Sequence, residues 1–102
     1  MIVRFNIDLA GLDSDHGAYD YRVTYEGEDL YADAGLNSIE ACIDAAREGL
    51  GSDAVAAEVA YKGIISGTYA LASLALAASQ IATHAMQTTE AIEEAMDAAA
   101  EQ

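Results

Sequence analysis

Five carboxylates near the end of the chain, Glu90, Glu93, Glu94, Asp97 and Glu101, follow one another at increments of three, one, three and four. On an α-helix that spacing gathers all five on one face and leaves Ile92, Met96 and Ala99 on another. Each helical turn rises about 5.4 Å, and one nucleic-acid strand carries a phosphate about every 3.4 Å of axis. The stripe therefore presents negative charge at a spacing of the same order as a nucleic-acid backbone. No Lys or Arg interrupts it, although an exposed helix gains from opposite charges four residues apart. The chemistry on offer is complementarity to a cationic surface.

Other reactive residue types do not converge. Asp13-Ser14-Asp15-His16-Gly17 has the composition of a calcium loop, but counting from Asp13 the sixth and twelfth places hold Ala18 and Thr24 instead of glycine and an acid. A turn is the better reading. His16 and His84 stand in no metal-ligand spacing, and no metal or other cofactor is expected. Cys42 falls on the apolar stripe of a helix, where a thiol behaves as a small core residue, and neighbouring acids would raise its pKa. Phosphate loop, dinucleotide fingerprint and serine elbow are all missing from the sequence, so an enzyme is not expected.

Eighteen Asp and Glu stand against four Lys and Arg, a formal net charge of −14 on 102 residues. Like charges on a small compact body repel, so such a balance implies that something uses the field. Direct binding of nucleic acid is excluded, because four basic residues do not offset phosphate repulsion. A basic nucleic-acid-binding protein is the expected partner. Glu40, Asp44 and Glu48 repeat every four residues, relieved only by Arg47, and Asp29 and Asp33 add acids on either side of Tyr31, whose side chain is expected to face outward as an interface anchor. A haloadapted interaction protein would also explain the acidity, and would need molar salt to fold.

The elements that must position these residues read as α+β, with one domain over 1–102: a sheet part over 1–35 and an Ala-rich helical part over 36–102. Val3, Phe5, Ile7 and Leu9 alternate with polar residues in a first strand; Tyr19, Tyr21, Val23 and Tyr25 do so in a second; Leu30 to Ala34 return antiparallel as a third. Asn37 is the expected N-cap of a helix whose stripe is Ile39, Cys42, Ile43, Ala46 and Leu50, with Glu40 completing a capping box. Ser52 and Asp53 are read as opening another helix, and from there to Gln102 the absence of proline and the abundance of Ala predict helix throughout, three or four helices in all. Thr89 is read as the cap of the last one.

Between Lys62 and Glu90 no residue carries a fixed charge. The length would cross a bilayer, but Ser66, Thr68, Ser73, Ser79, Gln80 and Thr83 are scattered through it, and no membrane contact is expected. Leu71, Leu74, Ala78, Ile81 and Ala85 form a seam for helix packing, and Gly63 and Gly67 match a close-approach pair. The expectation is a helix that is either buried in the chain or paired with a second copy, a homodimer through the helical half. The first residues lack the pattern of a secretory signal, and one cysteine permits no internal disulfide, which together predict a cytoplasmic protein.

The stripe Glu90, Glu93, Glu94, Asp97 and Glu101, the total charge and the lack of a catalytic motif resemble small acidic phage anti-CRISPR proteins of the nucleic-acid-mimic type. That resemblance implies binding to a CRISPR–Cas surveillance complex or its nuclease through a Lys/Arg-lined channel, in the cytoplasm of a bacterial host. A second resemblance covers Met1 to Leu50: strand, hairpin and the helix from Asn37 to Glu48 look like the antitoxin half of HicA/HicB-type pairs. The Pro-rich segment usual before that helix and a DNA-binding tail are both missing.

Overall fold

A computed structural model describes residues 1–9 and 18–100. The loop Asp13 to Gly17 and Glu101 lie outside the described residues. The chain is α+β: β1 (Ile2–Leu9), β2 (Tyr19–Tyr25), β3 (Glu28–Leu36), α1 (Ile39–Glu48), β4 (Ala56–Tyr61), β5 (Ile64–Ala70) and α2 (Leu71–Ala100). The strands form one mixed sheet in the order β3-β2-β1-β4-β5, with β1 and β4 parallel and the other neighbours antiparallel.

Both hairpins turn on two residues with positive φ, Glu26 and Gly27 (51° and 83°) and Lys62 and Gly63 (54° and 79°). That is the geometry of a type I′ turn, whose twist matches that of the flanking strands. In β1 the alternating set Val3, Phe5 and Ile7 is buried, and it meets Tyr21 and Val23 of β2 and Ala57, Val59 and Tyr61 of β4 on the same face. Both helices cover that face, α1 over β1 to β3 and α2 over β4 and β5. Buried Ile39, Cys42, Ile43 and Ala46 of α1 and Leu74, Ala78, Ile81 and Ala85 of α2 complete the core.

The opposite face carries Arg4, Asn6, Asp8, Arg22 and Glu58. There Arg4 pairs with Glu58 (3.2 Å) and Arg22 with Asp29 (3.2 Å), and the Asn6 amide donates to the Thr24 hydroxyl (3.1 Å).

Several expectations are corrected. Two strands replace the helix expected after Ser52, so the region 36–102 is not wholly helical and the sheet has five strands with two helices, not three with three or four. The high helix propensity of Ala is overridden because Ala57, Val59 and Tyr61 alternate beside β1 and are worth more buried than helical. Gly63 is a turn residue and Gly67 a strand residue under the Tyr69 ring, so they form no helical pair. The N-cap of α1 is Ser38, whose hydroxyl accepts from the Ala41 N–H (3.0 Å), not Asn37. β3 extends beyond Leu30 to Ala34 at both ends.

Helix α2 bends at Ala77 but does not end near Thr88. Thr89 is no cap: it is buried in mid-helix, and its hydroxyl donates to the Tyr61 carbonyl at the end of β4 (3.2 Å). Of the seam expected either to be buried or to meet a second copy, Leu74, Ala78, Ile81 and Ala85 are buried in the chain's own core.

Tyr31 also departs from expectation. It lies opposite Val23, on the helix-covered face, and packs edge-on against Tyr21. Its hydroxyl donates to the Ala46 carbonyl, one of the acceptors left free in the last turn of α1. Gly49 leaves room for this ring, since a Cβ there would stand 2.8 Å from Tyr31 Cε2. Gly49→Ala should therefore cost about 1–3 kcal/mol by overpacking, and Tyr31→Phe about 0.5–1.5 kcal/mol by loss of the hydrogen bond. Urea unfolding of both variants measures this, and equal stability of Gly49→Ala and the parent would contradict the packing.

Candidate acidic docking surface

The four basic side chains each lie beside an acid of this chain: Arg4 by Glu58, Arg22 by Asp29, Arg47 by Asp44 (4.0 Å) and Lys62 by Glu93 (3.7 Å). These are surface pairs, individually worth about 0–1 kcal/mol. Their consequence is positional: no Lys or Arg side chain is left over to neutralise the remaining acids.

Those acids are spread over the sheet, its turns and both helices, and one group of them stands on the end of α2. Burial in α2 ends at Thr89, and from Ala91 to Ala99 every residue is exposed. Glu90, Glu94 and Asp97 occupy this uncovered end with no ion-pair partner among the described residues, and the last turn has no basic residue. The C-terminus of a helix carries about half a negative charge from its unsatisfied carbonyls. A carboxylate there, as at Asp97, deepens the negative potential instead of offsetting it. The apolar seam also continues past the body: Ala78, Ala85, Ile92 and Ala99 recur every seven residues, the first two buried, Ile92 40% exposed and, one turn on, Met96 63% exposed.

A groove of about 480 Å³ runs between the start of α1 and α2. Ser38, Glu40, Ser79, Thr83, Gln87 and Glu90 are among its walls. Glu40, fifty places upstream of Glu90 and in a different helix, thus lines the same groove as Glu90. Sequence spacing could not pair them, because only the packing of α1 on α2 does so.

Asp29 and Asp33 are placed apart from this surface. Asp29 is held by Arg22 on the open sheet face, and Asp33 Oδ1 accepts from the Ala34 N–H (2.8 Å). Asp33 lines a separate concavity of about 490 Å³ with Asn6, Asp8, Asp20 and Arg22. Asp8 and Asp20 are direct cross-strand partners there, a like-charge opposition that weakens a sheet. Tyr31 belongs to the core side and joins neither surface.

Among the described residues no group of three or more His, Cys, Asp or Glu is disposed to hold a metal ion, and no helix is long and apolar enough to cross a membrane. Compared with protein-family models, with curated proteins and with solved structures, the chain matches none of them.

Cys42 is fully buried, and its thiol is pushed up to about 12, by burial first and then by the charges of Asp20 and Asp33. Burial likewise pushes the Tyr31 and Tyr61 phenols up to about 12, with Tyr21 and Tyr19 respectively adding to it. In the unfolded chain a thiol titrates near about 8.5 and a phenol near about 10. The folded state therefore keeps protons that the unfolded state releases. Stability from these groups is complete below about pH 8.5 and falls as pH rises toward about 12. The urea midpoint should be flat from pH 7 to 8 and decline above, with Cys42→Ala losing the earliest part of the decline. A midpoint that rises through this range would contradict the assignment.

Proposed function

We propose that the chain is an acidic, non-catalytic inhibitor that occupies a basic nucleic-acid-binding surface, with the exposed end of α2 as the contacting element. The supporting observation is the placement of Glu90, Glu94 and Asp97. They stand without an ion-pair partner among the described residues, on a segment that the body does not cover, with Asp97 in the last turn of α2. This arrangement is unfavourable in the free protein and becomes favourable against a row of Lys and Arg. Glu40 and the groove to Glu90 widen the same face. By its resemblance to acidic anti-CRISPR proteins, the partner is a CRISPR–Cas surveillance complex or its nuclease, and target nucleic-acid binding is what the inhibitor blocks.

A second reading, a HicB-type antitoxin, is favoured by one observation. Met1 to Leu50 folds as strand, hairpin and helix with α1 on the sheet, in the order that the resemblance implies. In that case the protein neutralises a toxin encoded beside it.

The two readings separate in a plasmid-interference assay run beside a growth-rescue assay with the neighbouring gene product. Protection of an invading plasmid supports the first, and rescue alone supports the second. Association should be strongly salt-dependent, weakening roughly tenfold or more between low and high ionic strength. Glu94→Lys with Asp97→Lys should abolish inhibition. Asp97→Lys should also stabilise the free protein by about 0.3–1 kcal/mol, because it puts positive charge in the last turn of the helix. Opposite signs for stability and binding mark a docking role. Inhibition that survives the double variant sinks the assignment of this helix end.

A further inference from the structure

All eighteen acids and four bases lie outside residues 63–89, so one sector of a molecule with net charge −14 has no fixed charge at all. The structure assigns that sector to a definite place. It comprises β5, which ends the sheet, and the part of α2 that lies over it.

The two sheet edges differ in kind. β3 carries Glu28, Asp29 and Asp33, the charges by which edge strands discourage pairing. β5 reads Ile-Ile-Ser-Gly-Thr-Tyr-Ala, without charge or proline, and Ile65 is 45% exposed. The register shift between Val59 and Ala60 leaves Ser66 as the extra residue near the hairpin end, and its hydroxyl donates to the Val59 carbonyl (3.3 Å). From Gly67 to Ala70 the strand resumes regular register with β4. Among the described residues nothing pairs with the outer side of β5, so its ladder groups are left to solvent.

The helix above has a matching flank. Ser79, Thr83 and Gln87 look toward the groove with α1. Gln80 and His84 are exposed on α2 outside that groove, and neither carries a fixed charge that would repel another helix alongside.

We propose that a second copy of this chain pairs its β5 with this β5, antiparallel about a two-fold axis, joining two sheets with the α2 helices side by side. A second copy is the occupant because two such anions can meet without opposing acids only along this sector. At the β3 edge the same approach would align Glu28, Asp29 and Asp33 with one another. This surface is separate from the acidic end of α2, and the pairing stands whether or not that end docks on a cationic partner.

Multi-angle light scattering at physiological ionic strength, where charge is screened beyond about 8 Å, should return twice the 10.6 kDa chain mass. Thr68→Glu with Gln80→Glu, both at exposed positions, should give a folded monomer by circular dichroism. Ala32→Glu, which adds a like charge on the β3 edge, should remain dimeric. A second readout needs no variant: amide exchange across Ile64–Ala70 should slow as the unmodified protein is concentrated. A parent that is monomeric up to millimolar concentration with concentration-independent exchange there overturns the proposal, as does a dimer that persists in the folded double variant.

Discussion

The rest of the structure depends on β1 having a neighbour on each side. Val3, Phe5 and Ile7 are buried because β2 closes one flank and β4 the other. A two-residue turn supplies an antiparallel neighbour, but a parallel one requires a longer excursion. Here the excursion includes β2, β3 and α1, and it returns the chain to β1 as β4. The return forces α1 onto one face of the sheet. It also leaves β5 as the only remaining edge position next to β4, with α2 starting directly from its end. One covered face, one open polar face and a long terminal helix all follow from that single parallel pairing.

Charge is distributed in accordance with this frame. The open sheet face balances its arginines against Glu58 and Asp29, and the core face carries none. Acids without counter-charge stand in two places, around Asp8, Asp20 and Asp33 on the sheet and at the end of α2, beyond Thr89, which makes the last buried contact through its bond to the Tyr61 carbonyl. The uncharged run that a hydropathy reading places in a membrane or a dimer seam is instead divided. One side of it closes the core and the other faces solvent across β5. Repulsion among so many acids is tolerable in this arrangement because they stand on separate surfaces, and screening reduces what remains.

Local pattern made β1, β2 and α1 legible. Alternation in Val3 to Ile7 and in Tyr21 to Val23, and the stripe Ile39, Cys42, Ile43 and Ala46, match the burial observed, whereas Leu9 at the end of β1 is exposed and Tyr19 and Tyr25 are only half-buried. The seam Leu74, Ala78, Ile81 and Ala85 was equally readable as a helix face, although what it packs on was not. β4 escaped because half of its residues are Ala and its alternation is shallow. The Lys62-Gly63 turn escaped because Lys is an unusual residue at positive φ. Of the docking residues, Glu90, Glu93, Glu94 and Asp97 lie on one helix as their spacing requires, whereas Asp29, Asp33 and Tyr31 were grouped with them only by type.

What the chain determined by itself was period and charge: which residues share a helix or strand face, and that acids dominate without counter-ions in the terminal helix. Those properties are local, set by 3.6 residues per turn and by alternation along a strand. Tertiary structure alone decided that Tyr31 turns inward to the Ala46 carbonyl, that Glu40 meets Glu90, and that Lys62 reaches Glu93. Each of these joins residues distant in sequence, and their proximity comes from burial of apolar area across the whole sheet, which no window of neighbouring residues contains.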